Sequence, residues 1–278
     1  MSPDFGLLIV GDEILSGKRA DKHLPAVVRL LGERGLALSW AQVVGDEPRR
    51  ITEVLARAFA GSEVVFCCGG IGATPDDHTR QCAAQALGVP LVAHREAQAL
   101  ITERMQDMAH EQGVPFDAMR ADNVQRLQMG VLPQGARLIP NPYNKIAGFS
   151  CIGAAGAAVH FVPGFPVMAW PMIEWVLENT CARWFHRNPQ AEHSVVLHGA
   201  TESALTPLMQ RIEAEHPGVR VFSLPSVDHP VYGAHIELGV KGEAARVPAA
   251  WQALLAGLQA QAIALGPQIE RRCPSAAP

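Results

Sequence analysis

The chain has 278 residues, 48% hydrophobic and 18% charged, which allows one large domain or two smaller ones with a sizeable core. A net charge of −4 and a pI near 6.3 argue against a nucleic-acid-binding protein that depends on a broad basic face. The six cysteines contain no CxxC pair, and the N-terminus lacks the basic region and cleavage site of a signal peptide. Both features favour a cytoplasmic protein with reduced thiols.

Strands and helices alternate over the first 90 residues. Buried strands are predicted at residues 5–10, 37–44 and 63–68, and helices at 23–34, 49–60 and 75–87. This alternation predicts a parallel, doubly wound α/β sheet. Two further helices are predicted at 96–112 and 118–128.

Residues 146–173 contain no Asp, Glu, Lys or Arg and are numerous enough to span a bilayer. Glycine and proline interrupt this segment repeatedly, for example at Gly148, Gly153, Pro163 and Pro171, which disfavours a membrane helix. Two core strands at 148–152 and 158–162, joined by a Gly/Ala turn, fit the pattern better. A helix at 168–185 follows.

After the polar segment 186–192 the pattern restarts. A strand is predicted at 194–198, a helix at 202–215, strands at 219–224 and 232–240, and a helix at 247–265. The sequence therefore predicts an α/β domain at residues 1–186, a small βαββα domain of the α+β class at 187–269, and a frayed tail at 270–278.

The predicted strand 63–68 leads into a glycine-rich segment that contains Gly69, Gly70 and Gly72. Glycines let a phosphate approach the backbone closely, and a following helix N-terminus offers N–H groups to an anion. The carboxylates of Asp76 and Asp77 would repel that phosphate unless a divalent cation bridged them. The alternative is that a helix begins here, with Thr74 as the N-cap, Pro75 at its first position and Asp77 as the acidic residue of a capping box.

Acidic residues follow all three of the first strands. These are Asp12 and Glu13, then Asp46, then Asp76 and Asp77. Because the strand ends of a doubly wound sheet meet at one edge, the five carboxylates are expected to cluster there, and their hard oxygen ligands suit Mg²⁺ or Mn²⁺. Asp46 is equally explained as the cap of helix 49–60. Gly11, Gly17 and Lys18 approach the pattern of a P-loop but have the wrong spacing. Arg19 also stands where a P-loop has Ser or Thr.

These motifs together resemble the molybdopterin-binding (MoaB/Mog-like) family, and more closely the N-terminal part of the CinA family. The resemblance covers residues 5 to 185. It is carried by Gly11-Asp12-Glu13-Ile14-Leu15-Ser16-Gly17, Val44-Gly45-Asp46, Gly69-Gly70-Ile71-Gly72-Ala73-Thr74-Pro75-Asp76-Asp77-His78-Thr79, Leu132-Pro133, Gly135-Ala136, Ile139-Pro140-Asn141-Pro142 and Pro163-Gly164-Phe165-Pro166. The small domain is also similar to the one that follows in CinA proteins. The resemblance does not extend to a deamidase domain, so nicotinamide-mononucleotide deamidation is not expected.

The resemblance implies a three-layer α/β/α fold that binds a phosphorylated nucleotide or pterin, with molybdopterin as one possible ligand. It implies metal-dependent hydrolysis of ADP-ribose to AMP and ribose 5-phosphate, with Mg²⁺, Mn²⁺ or Co²⁺ as the cofactor. A homo-oligomer is also expected, and the charge and the interrupted apolar segment predict no nucleic-acid or membrane partner. The implied site consists of catalytic Asp46 and Asp77; metal-binding Asp12, Glu13 and Asp76; and ligand-binding Gly11, Gly69, Gly70, Gly72, Thr74, Thr79, Asn141 and Gly164.

Two segments depart from the CinA pattern. Val167-Met168-Ala169 replaces Ser-Glu-Met, and Asn144-Lys145-Ile146-Ala147-Gly148 replaces Gly-Thr-Ala-Pro-Gly. Both are expected at the edge of the pocket, where they would change the substrate or remove catalysis. Two hypotheses therefore remain open, namely a metal-dependent pyrophosphatase and a non-catalytic molybdopterin- or nucleotide-binding protein linked to molybdenum cofactor biosynthesis. The small domain is a candidate dimerisation module.

Overall fold

The computed structural model describes residues 3–187 and 189–272. Within them the chain forms two compact units. The first comprises the residues up to 31 together with 37–184, and the second comprises 32–36 together with the residues from 185 onward. No helix in the described ranges is long and apolar enough to cross a bilayer.

Fifteen α-helices and strands lie before residue 185 in the described chain. They are β1 (Phe5–Val10), α1 (Asp12–Leu15), α2 (His23–Gly32), β2 (Leu38–Val44), α3 (Pro48–Ala60), β3 (Val64–Cys68), α4 (Thr79–Leu87), β4 (Leu91–Ala93), α5 (Arg95–Glu111), α6 (Ala121–Leu127), β5 (Val131–Pro133), β6 (Arg137–Ile139), β7 (Gly148–Ile152), β8 (Ala158–Val162) and α7 (Pro166–Val176). The last helix continues as a π-helical turn, Leu177–Cys181, and a 3₁₀ turn, Ala182–Trp184.

A six-stranded sheet with the order β2-β1-β3-β8-β7-β6 forms the centre of the first unit. The first four strands are parallel, and β7 is antiparallel to both of its neighbours. Strands β1 and β3 are continuous apolar runs and are buried along their whole length, as expected for central parallel strands. The prediction of a mostly parallel α/β sheet is confirmed, and a separate pair, β4 and β5, adds a short antiparallel ribbon.

The segment that resembled a membrane span contains β7 and β8, at the predicted positions and joined as an antiparallel pair. The cysteines that the structure describes in this unit are all free and buried: Cys67, Cys68, Cys82, Cys151 and Cys181. They pack as small apolar side chains. The sixth cysteine, Cys273, lies outside the described residues.

The second unit contains β9 (Gln190–Leu197), α8 (Glu202–Glu215), β10 (Val219–His229), β11 (Gly233–Glu243), α9 (Val247–Ala260) and β12 (Leu265–Arg272). The strands form an antiparallel sheet with the order β10-β11-β9-β12. Apolar residues of both helices, including Leu208 and Leu254, share one core with inward residues of the sheet such as Val195 and Leu238.

The end of the described chain differs from the prediction of a frayed tail. Residues 270–272 were expected in a frayed tail, but they pair with β9 as part of β12. Likewise residues 190–192, expected in the linker, belong to β9. The small domain is therefore βαββαβ in the described residues, one strand more than predicted. Residues 273–278 of the predicted tail lie outside the described part of the chain.

One histidine is buried in the sheet of the first unit. His160, in β8, is 3% exposed and lies beside the ring of Phe66. Its Nδ1 is 2.7 Å from the Ser150 hydroxyl oxygen, while its Nε2 is buried without a protein partner. Burial disfavours the charged ring and lowers the pKa of His160 to about 4.

This pKa predicts a loss of stability in mild acid. The unfolded chain takes up a proton near pH 6.5 and the folded chain only near pH 4, so stability falls as pH decreases through that window, by about 3 kcal/mol for this group. In denaturant unfolding at pH 7 and pH 4.5, His160→Asn should lose less stability than the wild type. The exposed His110→Asn serves as control, and an equal acid loss in both variants would contradict the prediction.

Candidate functional site

A cavity of about 690 Å³ opens at one edge of the central sheet. The carboxyl ends of β1, β2, β3 and β8 meet at this edge and contribute Gly11, Asp46, Gly69 and Gly164 to its lining. Because β7 is antiparallel, its starting segment lies at the same edge and adds Ile146. The site therefore occupies the position at which open α/β sheets bind ligands.

Residues 69–73, the glycine loop, connect β3 to the turn before α4 and line the cavity. Gly69 and Gly70 have φ values of 109° and 68°, in the left-handed region that favours glycine. A Cβ at Gly69 would collide with the carbonyl oxygen of Val10, and one at Gly70 would collide with the Thr79 hydroxyl. Both glycines are thus required by backbone conformation and by close packing.

Four successive backbone N–H groups of this loop have no protein acceptor in the described chain. They belong to Gly70, Ile71, Gly72 and Ala73. In contrast, the N–H of Gly69 continues the sheet by donating to the carbonyl oxygen of Val162 at 3.0 Å. Consecutive unpaired amides are chemically suited to bind an anion.

The carbonyl groups of the glycine loop are held from the side of α4. The Thr79 hydroxyl donates to Gly69 O at 3.1 Å, and the Thr79 N–H donates to Gly70 O at 2.9 Å. Thr79 is wholly buried and does not line the cavity. Its position therefore gives it the role of supporting the loop, in place of the direct ligand contact expected from the sequence.

Arg80 was not recognised in the sequence and completes this support. Its Nη2 donates to Gly72 O at 2.8 Å, and its Nη1 donates to Gln128 O. The residue is 5% exposed, its Nε is buried without a protein partner, and burial lowers the pKa of the guanidinium. A cation in the first turn of a helix opposes the helix dipole, which was an available signal that Arg80 has another role.

The alternative interpretation of Thr74–Asp77 as a helix cap is wrong. Helix α4 begins at Thr79, after His78, which forms no side-chain cap. Instead, Asp77 Oδ2 accepts from the Thr74 N–H at 2.8 Å and from the Thr74 hydroxyl at 2.5 Å, while the Asp77 N–H donates to Thr74 O. This closed turn places Thr74, Asp76 and Asp77 along the cavity.

The interpretation of Asp46 as a helix cap is also wrong, because Glu47 caps α3 through the N–H groups of Arg49 and Arg50. Asp46 and Asp12 are joined to each other instead. The Asp12 N–H donates to Asp46 Oδ2 at 2.9 Å, and the Asp46 N–H donates to Asp12 Oδ1 at 3.2 Å. The ends of β1 and β2 are therefore held together by their own carboxylates.

Four of the expected carboxylates lie together: Asp12, Glu13, Asp46 and Asp76 line a smaller pocket that shares residues with the main cavity. Burial raises the pKa of Asp46, and the negative charges of the other three raise it further, while the hydrogen bond from Asp12 lowers it. A cation near Asp46 would relieve this repulsion.

No three His, Cys, Asp or Glu side chains in the described residues are grouped closely enough to hold a metal ion by themselves. The oxygen ligands at this edge nevertheless suit Mg²⁺, which is commonly bound by one or two carboxylates together with ligand phosphates. A cation at this edge would therefore be shared between the carboxylates and a bound phosphate.

The opposite wall is formed by the segment between β6 and β7 and by the start of α7. Asn141 is buried, and its Nδ2 donates to Asn144 Oδ1 at 2.8 Å and to Ile146 O at 2.9 Å. Met168 lines the cavity, as expected for this departure from the CinA pattern. Asn144 Nδ2 lies 3.4 Å from the Met168 sulfur.

Lys145 does not lie where it was expected. It does not line the cavity, and its Nζ lies 2.7 Å from Asp107 Oδ2 and 3.6 Å from Glu103 Oε1, both on α5. Lys145 therefore lies on the outer side of this loop, whereas Asn144, Ile146 and Ala147 of the same departure line the cavity, as expected.

Four further residues at the site were not assigned from the sequence. The buried His23 lies with its Nε2 3.0 Å from Gly164 O and so supports the turn after β8. Phe165 lines the cavity although its side chain is 55% exposed. Lys18 and Arg19, which fit no phosphate-binding motif, also line the cavity.

Residues 6–183 match the model of a protein family described as a probable molybdopterin binding domain. The chain belongs to this family. The match covers nearly all of the first unit and includes the residues that line the cavity. It therefore confirms the resemblance drawn from the glycine loop and its neighbouring motifs.

Two related proteins and one solved structure are similar to different lengths of the chain. A CinA-like protein of Gloeobacter violaceus is 33% identical over 166 residues, which cover 60% of this chain and 37% of that protein. A protein of Pyrobaculum calidifontis is 28% identical over 240 residues, covering 84% of this chain and 86% of its own length. The crystal structure of CinA from Thermoplasma acidophilum has a TM-score of 0.54 at 26% identity, covering 64% of this chain and 98% of that chain. The chain thus spans well under half of the Gloeobacter protein.

The Arg80 contacts lead to a stability prediction. Arg80→Met should lower the free energy of unfolding by about 2–4 kcal/mol, because the Gly72 and Gln128 carbonyls lose a buried charged donor. Arg80→Lys should recover only part of this loss, since an ammonium lacks the forked donors. Urea unfolding measures both. Arg49→Met, at an exposed ion pair, should change the free energy by less than about 1 kcal/mol; an equal effect at both sites would contradict the assignment.

Proposed function

We propose that the protein binds a phosphorylated small molecule, a pterin or a nucleotide, with a phosphate group on the amides of the glycine loop. One observation carries this proposal: four successive residues whose N–H groups have no protein acceptor in the described chain line a cavity of ligand size. Membership of the molybdopterin-binding family supports a pterin-type ligand.

The finer proposal is that the site hydrolyses a phosphoanhydride, with ADP-ribose as substrate and AMP and ribose 5-phosphate as products. A divalent cation held by Asp12, Glu13 or Asp76 together with the ligand would supply charge neutralisation. The amides of residues 70–73 would stabilise negative charge on the phosphoryl oxygens as water attacks phosphorus. Asp46, whose pKa is raised, is the proposed acceptor of the water's proton.

The position of Asp77 favours a second candidate, a protein that binds such a ligand without converting it. One oxygen of this carboxylate already accepts two hydrogen bonds from Thr74. Asp77 is therefore held as part of the turn, which limits its freedom to activate water. Met168, at the opposite wall, provides no ionisable group. This candidate shares the glycine loop and the cavity with the first and differs only in turnover.

A glycine substitution tests the binding proposal. A Cβ at Gly72 would lie 2.5 Å from Asp77 Oδ2, so Gly72→Ala should displace the turn and weaken phosphate binding at least tenfold. Calorimetric titration with inorganic phosphate, AMP, ADP-ribose and molybdopterin measures the effect. Gly32→Ala, where an added methyl group meets nothing within 4 Å, should bind as the wild type does. If none of these compounds binds the wild type, the proposal is wrong.

An activity assay separates the two candidates. Purified protein with Mg²⁺, Mn²⁺ or Co²⁺ is incubated with ADP-ribose, NADH or FAD, and AMP release is measured. Asp46→Asn should reduce release about 100-fold, because the proton acceptor is lost. Asp228→Asn, an exposed site in the second unit, should leave the rate unchanged. Binding of ADP-ribose without release of AMP above the Asp46→Asn level would leave the non-catalytic candidate.

A further inference from the structure

The chain after β1 makes a tight turn that places Lys18 and Arg19 against the cavity. The Ser16 N–H donates to Asp12 O at 2.8 Å, and Gly17 follows in the left-handed region with a φ of 71°. The Arg19 N–H then donates to Glu13 O at 3.0 Å, which closes the turn. The two basic side chains are thus carried on a backbone that is fixed by its own hydrogen bonds.

Neither basic side chain forms an ion pair or a hydrogen bond with any residue in the described ranges. This is unexpected for Lys18, because Glu13, Asp46 and Asp76 line the smaller pocket beside it. Lys145, in contrast, is paired with two carboxylates of α5. Lys18 and Arg19 therefore have their donors available to a ligand in the cavity.

The third cation of the cavity lining is already engaged. Arg80 donates to the carbonyl oxygens of Gly72 and Gln128, and it is 5% exposed. Its contribution is to the shape of the glycine loop. Among the described lining residues, free cationic donors are therefore confined to Lys18 and Arg19.

The charge balance of the cavity shows what these donors are suited to bind. The glycine loop offers uncharged amides for one phosphate, but the carboxylates of the described lining would repel a second phosphate linked to it: Glu13, Asp46, Asp76 and Asp77. Two cations at the same cavity counter that repulsion and can donate directly to phosphate oxygens. A ligand with a single phosphate would need the glycine loop alone.

We propose that Lys18 and Arg19 form a second anion-binding element, which selects ligands with a diphosphate over those with one phosphate. This inference rests on the proposed function, in which one phosphate of the ligand occupies the glycine loop. Lys18 and Arg19 bind the other phosphate of the pair. They are specificity-determining residues, and the proposal requires no chemical step.

Calorimetric titration of the full chain in a chelator-containing buffer tests the proposal without a bound cation. The probes are inorganic phosphate and AMP on one side, and pyrophosphate and ADP on the other. Lys18→Ala and Arg19→Ala should each weaken ADP and pyrophosphate binding about tenfold. Both should leave phosphate and AMP affinity within about twofold. Arg19→Lys should retain part of the ADP affinity.

Lys22→Ala is the matched control, since this exposed lysine follows in the same segment but does not line the cavity. It should bind all four probes as the wild type does. An equal loss of AMP and ADP affinity in the Lys18 and Arg19 variants, or no loss in either, would overturn the second anion element while leaving the proposed function intact. A wild type that binds none of the probes would overturn both.

Discussion

The candidate site depends on one interaction, the capture of the glycine loop's carbonyl groups by the residues that begin α4. Thr79 holds the carbonyl oxygens of Gly69 and Gly70, and Arg80 holds that of Gly72. Because the C=O of one residue and the N–H of the next point in opposite directions in a peptide unit, fixing these carbonyls on the helix side turns the N–H groups of Gly70, Ile71 and Ala73 away from the helix. The carboxylates, the opposite wall and the basic turn are all arranged around this loop.

At the same edge of the sheet, adjacent acidic residues have different hydrogen-bond partners. Glu47 caps α3, so the carboxylate of Asp46 is available to join β2 to β1 through Asp12. In the next loop Asp77 closes the turn, while Asp76 is exposed to the cavity. Glu47 and Asp77 therefore fix the local backbone, while Asp46 and Asp76 lie beside other carboxylates at the cavity.

The central strands could be predicted from the sequence because β1, β3, β7 and β8 are apolar runs bounded by glycine or proline. Strand β12 could not be predicted, because Gly266, Pro267 and three charged residues interrupt the alternation of apolar and polar side chains that is typical of a strand. Its extended conformation is stabilised by pairing with β9. Thr74–Asp77 was ambiguous because caps and tight turns use the same residue types. Arg80 was missed because its role lies in contacts with distant carbonyls.

The unpaired amides have a consequence for the thermodynamics of recognition. The backbone of the glycine loop is already fixed by buried side chains, so an incoming anion need not order it, and little conformational entropy is lost. Before an anion arrives, water must satisfy those N–H groups, and each bound molecule has to leave when the anion enters. If the proposed anion binds here, its affinity would therefore depend mainly on the exchange of this water, because the residues behind the loop have already ordered the backbone.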